Sequence, residues 1–339
     1  MENQPLVPPT QTTLITASLL VIATILLGVA LSYTRNIMIP FVFALFLSYF
    51  LAPWVKGLKN KLRLPHWLAV MLAIFSFVSV LFFFGLVLRG SILRMIDSFY
   101  LYEERLSHLA QLVVDFFARF DIALDQAYIQ ARIRELPIFS YVQSVASTAM
   151  AIVIDVLLVL VFLIFLVSGK GIAEKKAGIG AEIDDKIRNY IFTKIMSNLL
   201  TAICVWIIYL TLGLDLSLMF ATLCFLLCFI PTLGSIIATV LPLPIALMQY
   251  QDPLAVWAVI LLPAFVQIVI GNILEPKFLG KGLDLHPITI LLSLMFWGLI
   301  WGIAGMFLAV PITAALKIVL TRHPLTNHFS EMMAGRSPI

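Results

Sequence analysis

Residues 271 to 287 read GNILEPKFLGKGLDLHP and set Asn272, Glu275, Lys277, Lys281, Asp284 and His286 between two long apolar runs. An aspartate at the centre of a membrane helix costs about 2.5 to 3.5 kcal/mol, so polar groups at such depth need a physical reason. Gln267, Gly271 and Glu275 recur at i, i+4 and i+8, with Asn272 alongside. A polar strip containing a small residue suits either close helix contact or the lining of a cavity, because facing lipid would leave the amides without partners. Gln267, Asn272 and Glu275 are therefore candidates for a solute pathway, with plain interhelical hydrogen bonding as the alternative.

The same stretch breaks at Pro276, turns through Gly280 and Gly282, and restarts at Pro287. Proline is favoured as the first residue of a helix, where its missing N–H is no loss. The new N-terminus, flanked by Asp284 and His286, offers free N–H groups to an oxygen-rich or anionic ligand, which makes His286 a fourth candidate for the solute pathway. Alternatively Asp284 caps the helix, and Lys277 and Lys281 rest at lipid headgroups. A third polar position, Asp155 in AMAIVIDVLLVL, is either a group inside the bundle or an interfacial residue. Asp155, Glu275 and Asp284 are the candidates for ion coupling.

No nucleophile elbow, zinc-protease motif, Walker A loop or dinucleotide-binding glycine loop occurs, so no enzyme is read here. Without a Walker A loop, a self-contained ATP-driven pump is excluded, which leaves gradient-driven or facilitated transport. Cys204, Cys224 and Cys228 lie in apolar runs with no histidine to complete a metal set, so neither metal nor cofactor is expected.

The elements that carry these residues follow from composition. The chain has 339 residues, 62% hydrophobic and 12% charged, and a mean hydropathy of +1.06, well above the roughly 45 to 50% apolar content of soluble domains. It is an all-α polytopic membrane protein. Apolar runs at 13–33, 37–54, 66–88, 146–168, 191–212, 217–249, 254–273 and 288–320 predict about eight membrane helices. About 20 residues cross the hydrocarbon, so the sixth and eighth runs are too long for simple spans. Pro231, Gly234, Pro242 and Pro244 interrupt the first of these, and Gly298, Gly302, Gly305 and Pro311 the second. Both read as broken helices, the best sequence pointer to a transport site. Aligning Gly234 on Gly302 brings Pro242 within one residue of Pro311, the form of a weak internal repeat.

The formal charge of +4 is spread over short loops, which argues for membrane topology and against nucleic acid. Lys56, Lys59, Lys61 and Arg63 mark one cytoplasmic loop, and the bases of segment 169–194 mark a second. With the N-terminus inside, residues 89–145, which contain no lysine, fall outside. There Ile92, Ile96, Phe99, Tyr102, Leu106 and Leu109 begin one apolar helical stripe, the mark of an amphipathic cap. The resulting division is a disordered tail at 1–12, first membrane helices at 13–90, the cap at 91–145, a transport core at 146–320 and a C-terminal tail at 321–339.

Four segments in order, IPFVFALFLSYFLAPWV, FIPTLGSIIA, NILEPKFLGKGLDLHP and LSLMFWGLIWGIAGMFLAVPITAALKI, resemble the AI-2E family, also called the autoinducer-2 exporter or PerM-like family. The resemblance covers nearly the whole chain. It implies a multi-pass transporter of the bacterial inner membrane, a homo-oligomer and specifically a homopentamer, that exports the quorum-sensing signal autoinducer-2. Some members are described instead as sodium or proton antiporters. The family's broken-helix residues fall on Pro231 and Gly234, its N-x-x-x-P stretch on Asn272, Glu275 and Pro276, and its last glycines on Gly298, Gly302 and Gly305. The segment 169–191 is shorter than is usual in the family. The partners expected are a small polar solute and the lipid bilayer, and an envelope scaffold that transports nothing is the reading from another class.

Overall fold

The computed structural model describes residues 9–97, 154–168, 179–279, 283–322 and 324–336. The helices are α1 (Pro9–Tyr33), α2 (Arg35–Leu62), α3 (His66–Asp97), α4 (Ile154–Ser168), α5 (Ile179–Leu212), α6 (Ser217–Leu227), α7 (Leu233–Val240) and α8 (Leu243–Gln249). They continue with α9 (Pro253–Val269), a π-helical turn (Ile270–Leu274), α10 (Glu275–Leu279), α11 (Pro287–Thr321) and α12 (Pro324–Met333). Among the described residues there is no strand, and five helical segments are long and apolar enough to cross a membrane. The amphipathic cap is expected from residue 91, but residues 91–97 continue α3, and the remainder of the cap, 98–145, lies outside the described residues.

Both long apolar runs fold as helical hairpins. In the first, α6 meets α7 and α8 across a turn at Phe229–Thr232, and an added Cβ at Gly234 would lie 1.7 Å from the carbonyl oxygen of Leu227. Only glycine permits that approach. At the hairpin tip Thr232 is held at φ +61° and ψ −59°, a conformation that a β-branched residue rarely adopts. The second run, α11, reverses at Gly302, where φ is +64° and ψ −142°. A straight helix would hold Asp284 and Lys317 about 50 Å apart at 1.5 Å per residue, yet Lys317 Nζ lies 2.7 Å from Asp284 Oδ2. Trp297 Nε1 likewise donates across the hairpin to Thr313 Oγ1 at 3.3 Å.

The two hairpins have matching close approaches, Gly234 on Leu227 and Gly305 on Trp297, whose carbonyl oxygen would be 1.9 Å from an added Cβ. The repeat therefore aligns Gly234 with Gly305, three positions from the alignment that glycine and proline spacing suggests. Backbone contact, more than proline position, sets the register. Each hairpin follows a membrane helix, α5 for the first and α9–α10 for the second. These helices run in opposite directions, as in the inverted repeats of many secondary transporters.

The hairpins enter from opposite ends of the bundle. The mouth of the first is closed by Gln249 Nε2 donating to Gly213 O at 2.6 Å and Tyr250 Oη to Leu212 O at 3.0 Å. That end carries Asp215 and Asp252, and no Lys or Arg occurs between Lys194 and Lys277. The mouth of the second lies at the other end, with Lys186, Arg188 and Arg322, where Arg322 pairs with Glu182. Tyr49 Oη, midway along α2, donates to Asp184 at 2.7 Å, and Lys56, nearer the basic loop, lines a cleft with Arg188 at this same end. The two basic segments expected to share the cytoplasmic side are thus neighbours in space.

The tip of the first hairpin packs on the flank of the second. Ile230 is buried with Leu294 and Ala309, and the Phe229 and Phe307 rings stack with centroids 4.6 Å apart. The tip of the second reaches α1, where Trp301 Nε1 donates to Leu31 O at 3.0 Å. On the opposite flank α2, α3 and α4 pack through fully buried Ala44, Ala69 and Ala73. Small residues allow such close packing where lipid supplies no hydrophobic drive between helices.

Candidate functional site

Along α5, Lys194, Ser197, Asn198 and Thr201 recur at helical spacing and are buried on one face, with Lys194 8% exposed and Asn198 2%. Lys194 Nζ donates to Glu275 Oε1 at 2.8 Å and to Oε2 at 3.0 Å, and Ser197 Oγ donates to Oε2 at 3.2 Å. Asn198 Nδ2 reaches the carbonyl oxygen of Phe225 at 3.4 Å, tying the stripe to the first hairpin near its turn. Cys228, at the start of that turn, lies within electrostatic reach of both Lys194 and Glu275. Tyr190, one helical turn before Lys194, is buried as well. The result is a compact polar cluster beneath a hairpin tip, inside an apolar bundle.

The π turn is what presents Glu275. Its backbone N–H bonds to Ile270 O, an i to i+5 link that stacks Glu275 over buried Ile270. In an uninterrupted α-helix Leu274 would take that place. Single π turns inside α-helices are frequent at functional sites. Here one directs a carboxylate at a lysine that regular winding would have missed.

Gln267, about two turns before Glu275 on α9, donates through Nε2 to Thr239 Oγ1 on α7 at 3.0 Å. Its buried Oε1 has no partner among the described residues. Asn272 is exposed, and a Cβ added at Gly271 would meet nothing within 4 Å. The strip expected from i, i+4, i+8 spacing therefore divides: Gln267 and Glu275 turn inward to different partners, and Gly271 and Asn272 face outward. Lys277 is exposed, as a headgroup anchor would be, and Lys281 lies outside the described residues.

At the mouth of the second hairpin, His286 is the cap of α11, its Nδ1 accepting from Ile288 N–H at 3.3 Å. Pro287 is the first helical residue, as its type predicts. Asp284 instead binds Lys317 and Arg336, the latter at 3.1 Å. The Lys317 ammonium beside it, with Arg336 and Lys186, holds the Asp284 carboxyl below the usual carboxylate range. His286 N–H and Thr289 Oγ1 both donate to Met333 O, at 2.9 and 3.0 Å, so α12 is strapped across this mouth. Asp155 is exposed on the first turn of the described part of α4 and makes no ion pair among the described residues.

Sequence reading placed Lys194 among loop bases. It is instead the buried partner of Glu275, and Lys317, buried to 7% exposure, is likewise a partner and no surface base. The signal available was the i, i+3, i+4, i+7 recurrence of Lys194, Ser197, Asn198 and Thr201, four polar residues on one helical face. Among the hinge candidates, Pro231 is in the first turn region, Pro276 in α10, Gly302 at the second turn, Gly305 in backbone contact, Gly298 against Met306, and Pro311 buried in the returning arm.

Two opposed helical hairpins, each preceded by a membrane helix, with a buried ion pair beside the turn of the first, define the class: a multi-pass membrane protein built for transport. The model of the AI-2E family transporters matches residues 19–324, and the chain belongs to that family. It is 31% identical to a Haemophilus influenzae protein named "Putative transport protein", over 90% of this chain and 92% of that one. It is 28% identical to the AI-2 transport protein TqsA of Escherichia coli, over 85% and 86% of the two chains. It is also 28% identical to the E. coli protein named "Putative permease PerM", over 42% of this chain and 40% of that one.

Proposed function

We propose that the protein is a secondary transporter or facilitator that exports a small polar signalling solute, of the autoinducer-2 kind, across the bacterial inner membrane. The observation that carries this reading is the Lys194–Glu275–Ser197 cluster beneath the hairpin tip. A buried ion pair is a weak source of stability, because desolvation offsets its attraction. Its retention beside the turn of the first broken element suits a site that a hydroxyl-rich solute enters by exchanging hydrogen bonds with Glu275 and Lys194. Gln267 Oε1 adds an acceptor on the neighbouring face. Alternating access follows if the tip of the first hairpin parts from and rejoins the flank of the second, with Gly234, Gly302 and Gly305 as the points that give. Kinship with an AI-2 transport protein over most of the chain supports autoinducer-2 as the first solute to test. Homo-oligomeric assembly, a pentamer by family resemblance, belongs to the same reading.

A second reading, sodium or proton antiport, is favoured by Glu275 itself, since a cation competing for its carboxylate would have to displace Lys194 Nζ. Flux of labelled autoinducer-2 from liposomes holding the purified protein, with and without a pH gradient, separates the two. Export predicts flux above empty vesicles that persists without the gradient. Solute flux no faster than in empty vesicles, together with sodium-driven proton movement that Glu275→Gln abolishes, would replace the first reading with the second.

A further inference from the structure

Between α2 and α5 at the basic end lies a cleft of about 370 Å³ lined by Tyr49, Phe50, Pro53, Lys56, Arg188 and Phe192, among others. Its composition is divided. Lys56 and Arg188 bring cationic donors, while Phe50, Pro53 and Phe192 form an apolar wall. Phe192 is 51% exposed and neighbouring Trp54 50%, so the apolar side opens on the surface that lipid covers. Lys56 makes no ion pair among the described residues. Arg188 commits one terminal nitrogen, Nη2, to Asp185 at 2.6 Å and keeps the rest of its five-donor fork. Asp184, the acid bonded to cleft-lining Tyr49, is occupied by that hydroxyl at 2.7 Å.

We propose that this cleft binds the phosphate headgroup of an anionic phospholipid, held by Lys56 and Arg188 while its glycerol and upper acyl chain lie along Phe50 and Phe192. A guanidinium and an ammonium facing one cleft are the donors a phosphodiester requires. Basic pockets between membrane helices at the cytoplasmic level are where anionic headgroups are drawn. The site bridges α2 and α5 beside the Tyr49–Asp184 link. Occupancy therefore clamps the α2–α3–α4 flank to the helix that carries Lys194.

The test measures lipid retention by native mass spectrometry, and thermal shift in detergent, for the full chain. Added phosphatidylglycerol is expected to be retained and to raise the unfolding temperature, whereas phosphatidylcholine is not. The Lys56→Gln/Arg188→Gln double variant, both substitutions at exposed positions, should weaken retention on the order of tenfold or more. Lys59→Gln/Lys61→Gln, with the same loss of charge outside the cleft, should stay within about twofold of the unaltered protein. Equal losses in the two double variants would mean only diffuse attraction, and full retention by the cleft variant would remove the site. A stabilisation reproduced by inorganic phosphate alone would make it a soluble-anion site and overturn the lipid assignment. Lys56→Glu is a second probe should the double variant fold poorly, and undiminished phosphatidylglycerol retention in it would also overturn the proposal.

Discussion

Lys194 Nζ stands 2.8 Å from Glu275 Oε1, across 81 residues of sequence, with both side chains almost wholly withdrawn from solvent. The pair joins α5 to the π turn that precedes the second hairpin. Both transport mechanisms, solute export and cation antiport, run through it.

Removing one partner leaves the other charged and buried, which costs about 3 to 5 kcal/mol. Glu275→Gln and Lys194→Met should each lower the unfolding temperature strongly. The Lys194→Met/Glu275→Leu double variant should recover most of that loss, because an apolar pair needs no solvation. Solute flux should remain abolished in all three. Additive thermal losses in the double variant, or flux at the normal rate, would contradict a coupled pair with a transport role.

The glycines of the hairpins should differ sharply in tolerance. A Cβ at Gly234 or Gly305 would meet backbone carbonyl oxygens at 1.7 and 1.9 Å, whereas at Gly298 it would meet only the Met306 side chain, at 2.9 Å. Backbone cannot move aside without opening the hairpin, and methionine can change rotamer. Gly234→Ala and Gly305→Ala should cost about 3 kcal/mol or more and Gly298→Ala under about 1.5 kcal/mol. Thermal unfolding of the purified variants measures the difference.

Gln267→Leu separates a pathway residue from a structural one. The Oε1 of Gln267 is buried without a partner among the described residues, and Thr239 Oγ1 keeps its bond to Ser235 O at 2.9 Å. Replacing an amide so poorly satisfied should alter stability by no more than about 1 kcal/mol. If the oxygen serves a solute, flux falls while the unfolding temperature holds. A change in unfolding temperature with normal flux would make Gln267 a helix-packing residue.

The α12 strap should be insensitive to mild acid. The folded Asp284 carboxyl is held below its ordinary value by Lys317 first, then by Arg336 and Lys186. A depressed carboxylate contributes stability that is fully present above the unfolded value, about 3.9, and is lost as pH falls through the lower folded one. Amide exchange in residues 324–336 should therefore stay slow from neutral pH down to about 4 and quicken only below. Asp284→Asn should quicken it at neutral pH by up to about fivefold, the scale of a part-exposed ion pair. A strap that loosens between pH 7 and 5 would owe its hold to other groups.

Much of this was legible in the residues themselves. Apolar runs of span length, prolines and glycines inside two of them, two basic loops set against a lysine-free segment, and Glu275 at the foot of a polar strip are local properties. They are governed by transfer free energies over one span and by backbone preferences over one turn. Pro287 beginning α11 and His286 or Asp284 beside it follow from the same short-range rules.

What only the tertiary structure decided is pairing over distance. Hydropathy could mark α11 as too long for one span but not as a hairpin. The reversal depends on Gly302 adopting a positive φ and on Gly305 resting against the backbone at Trp297. Spacing grouped Asn272 with Glu275, yet the π turn at Ile270–Leu274 separates them by rewinding the helix. Lys194 read as one of several loop bases until α5 packed against α10 and gave it Glu275. Local sequence sets which faces are apolar, but which buried charge meets which depends on how those faces dock, and that is settled only when the whole bundle closes.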